Sequence, residues 1–283
     1  MLIFIIHCKR IFDKYTKDEM TVYAAQASFF IVIAAFPFIM LLLTLIQIVP
    51  GLGKADLMAT LTSMMPEIFH SLIVNVVDSL YTQSPGTVLS ITAITALWSA
   101  SKGMLSIERG LNRAFESQKR RGYIASRLIC SGYTIIFMIV CIASLILLVF
   151  GTSIQEFVLH KIPIIAKATG YVISFRNLLA MAILTTCFAG LYTFIPQRKQ
   201  KIKEQFPGAI FSTICWIGFS YLFSLYFENF KRFSYMYGSL TAIVLLLLWL
   251  YVCICILFLG AEINHYLVEK IGPLYFSHGI KEN

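Results

Sequence analysis

Residues 239–261 read Ser239-Leu-Thr-Ala-Ile-Val-Leu-Leu-Leu-Leu-Trp249-Leu-Tyr-Val-Cys-Ile-Cys-Ile-Leu-Phe-Leu-Gly-Ala261. No charged side chain interrupts the run, and it lacks the two-residue alternation of a barrel strand. A helix crosses a bilayer with about 20 apolar residues, each adding about 1.5 Å, so this stretch predicts a membrane-spanning helix. Five more stretches share its character, at 27–49, 87–107, 128–150, 171–195 and 208–227. Pro50-Gly51 closes the first and Pro196-Gln-Arg-Lys199 the fourth, while Pro207-Gly208 precedes the fifth. The expected fold is an all-α polytopic bundle with about six transmembrane helices, residues 1–283 forming one membrane domain.

Composition agrees. Hydrophobic residues make up 58% of the 283, against roughly 45–50% in soluble domains, and mean hydropathy is +0.79. Charged residues make up only 13%, too few for the wet exterior of a globule this size. The net charge of +9 would point to nucleic acid in a soluble protein. Here the basic residues cluster in short segments between apolar runs, which is the pattern of cytoplasmic membrane loops, so no nucleic-acid partner is expected. Sixteen Lys and Arg fall on the side that holds both termini, and five fall in the opposite loops. That asymmetry places the N- and C-termini in the cytoplasm.

Between the first two spans, apolar residues from Leu57 to Leu80 recur at three-four spacing, which predicts an amphipathic helix at the outer face, broken near Pro66. The third loop, with Ile154, Phe157, Val158, Ile162 and Ile164, is expected to lie there too. Both read as caps over helix ends, or as a lining for apolar substrates. Residues 1–6 are apolar, but Lys9 and Arg10 follow them rather than precede them, unlike a signal peptide. The seven cysteines are scattered without a metal-ligand spacing. No metal, cofactor or catalytic residue is expected.

Polar residues inside or beside the spans are the functional candidates, because charge in lipid is unfavourable and persists where it is used or paired. Thr16 and Glu19 have the spacing of a capping box opening the first span. Gln26 follows among small residues, and Pro37 lies mid-span as a packing kink or a candidate hinge. Lys102 lies inside the second apolar run, four residues after Trp98 and seven before Arg109. It is expected to snorkel, to pair with Glu108 or Glu262, or to meet an anionic headgroup. Glu262 and Asn264 end the last span. Gln26, Lys102, Glu108, Arg109, Glu262 and Asn264 thus fall at one membrane depth, as a candidate polar cluster.

Three segments carry a family resemblance: Ala24-Ala-Gln-Ala-Ser-Phe-Phe with Phe36-Pro37; Leu97-Trp-Ser-Ala-Ser-Lys-Gly103 with Leu111-Asn112-Arg113; and Tyr237-Gly-Ser-Leu240 with Leu248-Trp249-Leu-Tyr251 and Leu259-Gly-Ala-Glu262-Ile-Asn264. In this order and spacing the chain resembles the YihY/BrkB family of bacterial inner-membrane proteins. It departs at Gln26-Ala-Ser-Phe-Phe, where many members have a more aliphatic or tyrosine-bearing run. The resemblance implies a six-helix plasma-membrane protein linked with the cell envelope, and a transporter role with lipids or other amphiphiles as cargo. One member once carried the label ribonuclease BN.

Hydrolysis through metal ions needs clustered carboxylates or histidines, and the 14 Asp plus Glu and five His here are dispersed. No P-loop, GxSxG or GxGxxG occurs. Two readings outrank an enzyme: a transporter or lipid translocator, and a non-transporting scaffold or regulator of envelope assembly. Expected partners are membrane lipids, then a second copy of the chain or an envelope protein.

Overall fold

The computed structural model describes residues 2–47, 85–117, 121–139, 176–198, 200–229 and 239–278, with isolated positions between 54 and 78. These residues build an all-helical membrane bundle. The helices are α1 (Leu2–Lys17), α2 (Met20–Gln47), α3 (Pro85–Ala114), α4 (Tyr123–Ile139), α5 (Arg176–Phe194), α6 (Ile202–Asn229) and α7 (Ser239–His278). Each predicted span falls on one of α2 to α7. Met20–Thr44, Ile202–Tyr226 and Ile243–Glu269 are each long and apolar enough to cross a membrane. Residues 48–49, 140–150 and 171–175 of the predicted spans lie outside the described residues. So do most of the amphipathic segment at 57–80 and the apolar third loop at 154–164.

Lipid tails are as apolar as leucine side chains, so helices associate there by close packing and polar contacts. α2 lies along α3, and α7 packs on α6, α2, α1 and α3, while α5 packs on α6. Ala24, Ala27 and Ser28 of α2 are small and buried, and Gly103 of α3 packs against the Ala27–Ile31 turn. A Cβ at Gly103 would come within 2.8 Å of Ile31 Cγ1 and 3.4 Å of the Ala27 carbonyl oxygen. Gly110 makes room in the same way for the Phe258 ring of α7. At the α6–α7 crossing Gly208 and Gly260 meet backbone to backbone, and a Cβ on either would collide with the other helix. Outward faces carry Phe36, Ile94, Leu178, Leu222 and Leu248, all exposed, an exterior that lipid can solvate.

Four expectations change. The capping box does not form. Thr16 Oγ1 donates back to the Phe12 carbonyl at 3.0 Å, and Glu19 adopts φ 54° between α1 and α2, so its side chain does not reach back to Thr16 as a cap would. The apolar N-terminal residues begin a helix that the sequence analysis does not expect, α1, which docks on the bundle. The fifth span begins as a helix at Ile202, upstream of Pro207. The last helix continues past Ala261 to His278, because Glu262 and Asn264 find partners that keep it packed.

Candidate functional site

α1 turns His7, Ile11, Lys14 and Tyr15 inward, and Asp18 directly after it continues that face, a spacing of four, three, one and three. A His7 ring nitrogen hydrogen-bonds with the Tyr266 hydroxyl of α7, so the start of α1 and the late part of α7 share one end of the bundle. Lys14 Nζ then donates to Glu262 Oε2 at 3.0 Å, Asp18 Oδ2 at 3.0 Å and the Ala114 carbonyl at 2.9 Å. The Glu262 side chain is wholly buried. Burial works against the Lys14 ammonium, but the Glu262 and Asp18 carboxylates outweigh it and hold its pKa above the ordinary lysine value. Asp18 presents its other oxygen to Arg113 Nε at 3.1 Å. Thus one ion-pair chain, buried at Glu262 and exposed at Arg113, fastens α1 to α7 and to the end of α3.

A second polar group surrounds Glu108, which is 2% exposed. Its partners are neutral. Gln197 Nε2 donates to Oε1 at 3.0 Å, Cys130 Sγ to Oε2 at 3.1 Å, and Ser126 Oγ lies 3.5 Å from Oε1. Gln197 also donates its backbone N–H to Asn112 Oδ1 at 2.7 Å and its amide to Ser126 Oγ at 3.2 Å. Pro196 ends the α5 run and turns Gln197 across to α3 and α4, so three helices close on one carboxylate.

Between these two groups lies a cleft of about 890 Å³, within the usual range of ligand sites, about 300–1,000 Å³. Its charged lining is Lys17, Arg109, Arg113 and Arg121 against Asp18, Glu108 and Glu116. Asn112, Gln197, Tyr23 and Tyr123 complete its polar wall. Such a lining can bind a polar group that carries both signs of charge, or an anion, with the aromatic rings covering less polar parts. Among the described residues no three His, Cys, Asp or Glu side chains lie close enough to share a metal ion.

The six candidate positions do not form one cluster. Glu108 and Arg109 line the cleft, with Arg109 5.9 Å from the Tyr123 ring centroid. Glu262 is paired behind it with Lys14. Asn264 serves another junction, accepting from the Gly208 N–H at 2.6 Å and donating to the Gln205 carbonyl at 3.1 Å. It thereby satisfies backbone groups on both sides of Pro207, beside a Tyr192 hydroxyl that bonds Ser212 Oγ at 2.7 Å and the Leu257 carbonyl at 2.8 Å. Lys102 meets neither Glu108 nor Glu262. It lies over the Phe30 and Trp98 rings, at 5.0 and 5.7 Å from their centroids. Gln26 is exposed on α2, and Pro37 sits inside α2 without ending it. Lys14, Asp18, Asn112, Ser126, Cys130 and Gln197 are site residues that sequence reasoning passed over. Only the Lys14–Asp18 pair carried a readable signal, the i,i+4 spacing of opposite charges.

The family profile described as "Virulence factor BrkB" matches residues 11–275, from the inner face of α1 to the last turns of α7. The chain belongs to the virulence factor BrkB family. The BrkB-family chain is similar over its length to a protein named as ribonuclease-like, YfkH of Bacillus subtilis, with 32% identity over 262 residues that cover 93% of this chain and 95% of that one. A UPF0761 membrane protein of Alteromonas mediterranea is 24% identical, covering 94% and 87%. One of Aliivibrio fischeri is 25% identical, covering 91% and 81%. No solved structure matches this BrkB-family chain. The membrane names of these relatives and the three long apolar helices agree that the protein is embedded in a bacterial membrane.

Proposed function

We propose that the chain is a transporter that moves a lipid or other amphiphile across the bacterial plasma membrane, receiving its polar head in the cleft lined by the facing ends of α1 and α2, by α3 and α4, and by Gln197 after α5. The observation that carries this reading is the cleft itself. About 890 Å³ of mixed-charge space at the basic end of an apolar bundle is more than helix packing requires, since interiors are otherwise close-packed. Its basic end is the one that charge asymmetry assigns to the cytoplasm. Arg109 and Arg121 line it without a carboxylate in ion-pair contact among the described residues, so they are available to an anionic head.

A non-transporting scaffold is the second reading, and the Lys14–Glu262 and Asn264 junctions favour it, because both tie helices together without a ligand. The ribonuclease-like name belongs to YfkH. In this cleft the carboxylates of Asp18 and Glu108 are engaged by Arg113, Lys14, Gln197 and Cys130, which gives hydrolysis little support.

Reconstitution in liposomes with headgroup-labelled lipids tests the proposal. Wild type should move a labelled lipid between leaflets, and folded Arg109→Gln and Arg121→Gln variants should move it at least about fivefold more slowly, near the worth of one cation at a membrane surface. Absence of movement across anionic, zwitterionic and single-chain amphiphiles by folded wild type favours the scaffold.

A further inference from the structure

On the flank of the bundle outside the cleft, two cations converge on one exposed indole. Trp98 of α3 is 61% exposed. Arg127, in the second turn of α4, places its guanidinium carbon 4.6 Å from the Trp98 ring centroid and donates from Nη2 to the Trp98 carbonyl at 3.2 Å. Lys102, one turn along α3, lies 5.7 Å from the same centroid. Neither cation forms an ion pair with a described carboxylate. The second guanidinium nitrogen, Arg127 Nη1, is buried without a hydrogen-bond partner among the described residues. At the same end Lys14 and Arg113 are both answered by carboxylates.

Ring faces attract cations but accept no hydrogen bonds in the manner of an anion. A guanidinium and an ammonium gathered on one ring supply charged donors that phosphate oxygens accept, and Arg127 Nη2 keeps a second hydrogen beyond its bond to the Trp98 carbonyl. The surroundings decide what carries the phosphate. Ile91 and Ile94 continue the Trp98 face along α3, Ile124 and Leu128 stand beside Arg127 on α4, and all four are strongly exposed. Arg127 stands at the mouth of the 128–150 apolar run and holds Trp98 to that level, where the polar edge and apolar body of a tryptophan suit the membrane boundary. We propose that Trp98, Lys102 and Arg127 form a binding site for the phosphate of an anionic glycerophospholipid, whose acyl chains lie along Ile91, Ile94 and Leu128. The site is separate from the cleft and holds whether or not the chain moves lipid, because it concerns retention at equilibrium.

Native mass spectrometry of the full chain in detergent, titrated with dioleoyl phosphatidylglycerol or dioleoyl phosphatidylcholine, reads it out. Wild type should retain phosphatidylglycerol in preference. Lys102→Gln and Arg127→Gln should each lower that preference about fivefold and together about 25-fold, at the usual worth of a basic residue against an anionic lipid. Lys102→Arg and Arg127→Lys should keep most of it. Thermal unfolding identifies variants that fold; if the double variant does not, the single variants and the two wild-type titrations still decide. Equal retention of the two lipids by wild type overturns the site, as does undiminished preference in a folded double variant. Displacement of phosphatidylglycerol by millimolar inorganic phosphate would overturn the lipid assignment and leave a free-anion site.

Discussion

Lys14→Met removes the cation from the centre of the ion-pair chain while keeping the length of the side chain. Asp18 retains Arg113 at 3.1 Å, and its loss is partial. Glu262 has no such reserve. Its side chain is wholly buried, and Lys14 is its one ion-pair partner among the described residues. Removing one member of a buried pair costs about 3–5 kcal/mol, because the remaining charge stays desolvated and unanswered. For a chain of this size that corresponds to a fall of roughly 10 °C in unfolding temperature. Glu262→Gln keeps the volume and removes the buried charge, and Lys14 still reaches Asp18 and the Ala114 carbonyl, so about 1–2 kcal/mol is expected. The double variant should then lie close to Glu262→Gln alone, well above the sum of the two losses, as coupled neighbours do. Thermal unfolding in one fixed detergent measures all four proteins. A Lys14→Met protein within about 0.5 kcal/mol of wild type, or a double variant showing simple additivity, would refute the claim that this pair fastens α1.

Other junctions make their own predictions. Because the Lys14 pKa is raised, its contribution is complete below the ordinary value of 10.5 and fades only as pH climbs through the higher folded value; protection of α1 amides in hydrogen exchange should therefore persist through neutral pH and fail in strong alkali. Gly260→Ala drives a Cβ into Tyr192, Ser212 and the Gly208 backbone, and should destabilise toward the upper end of about 1–3 kcal/mol, read by the same unfolding assay. Asn264→Leu removes the bonds to the Gly208 N–H and the Gln205 carbonyl, and should cost about 1–3 kcal/mol in the same assay. Pro37→Ala restores a backbone donor within α2. If bending at Pro37 serves transport, lipid movement should slow while unfolding temperature stays level or rises.

Legibility differed between spans and contacts. The uncharged run at 239–261 and its five companions announced helices because the bilayer imposes length and apolarity on each segment separately. The charge that Lys102 brings into the apolar run was also legible, and so was its i,i+4 neighbour Trp98, whose ring it lies over. Its second ring, Phe30, comes from α2 and depends on how helices rotate against one another, which no single segment encodes. α1 was missed for a similar reason: its apolar start is short, and the inward spacing of His7, Ile11, Lys14 and Asp18 gains meaning only once α7 is beside it. Gln197 was invisible altogether, since the loop after Pro196 decides what it reaches. Asn264 was marked as polar at the right depth, yet its partners are backbone groups around Pro207, which sequence spacing does not reveal.

The central claim, that the cleft receives a lipid headgroup, is tested most directly by photo-crosslinking in liposomes. A photoreactive amino acid is placed at Asn112, in the cleft wall, or at Ile183, exposed on α5, and the liposomes carry headgroup-tagged lipid. The cleft position should yield the tagged adduct several-fold more strongly than the α5 position, and excess unlabelled lipid should suppress it. Equal adduct at both positions, in folded protein, would contradict the claim.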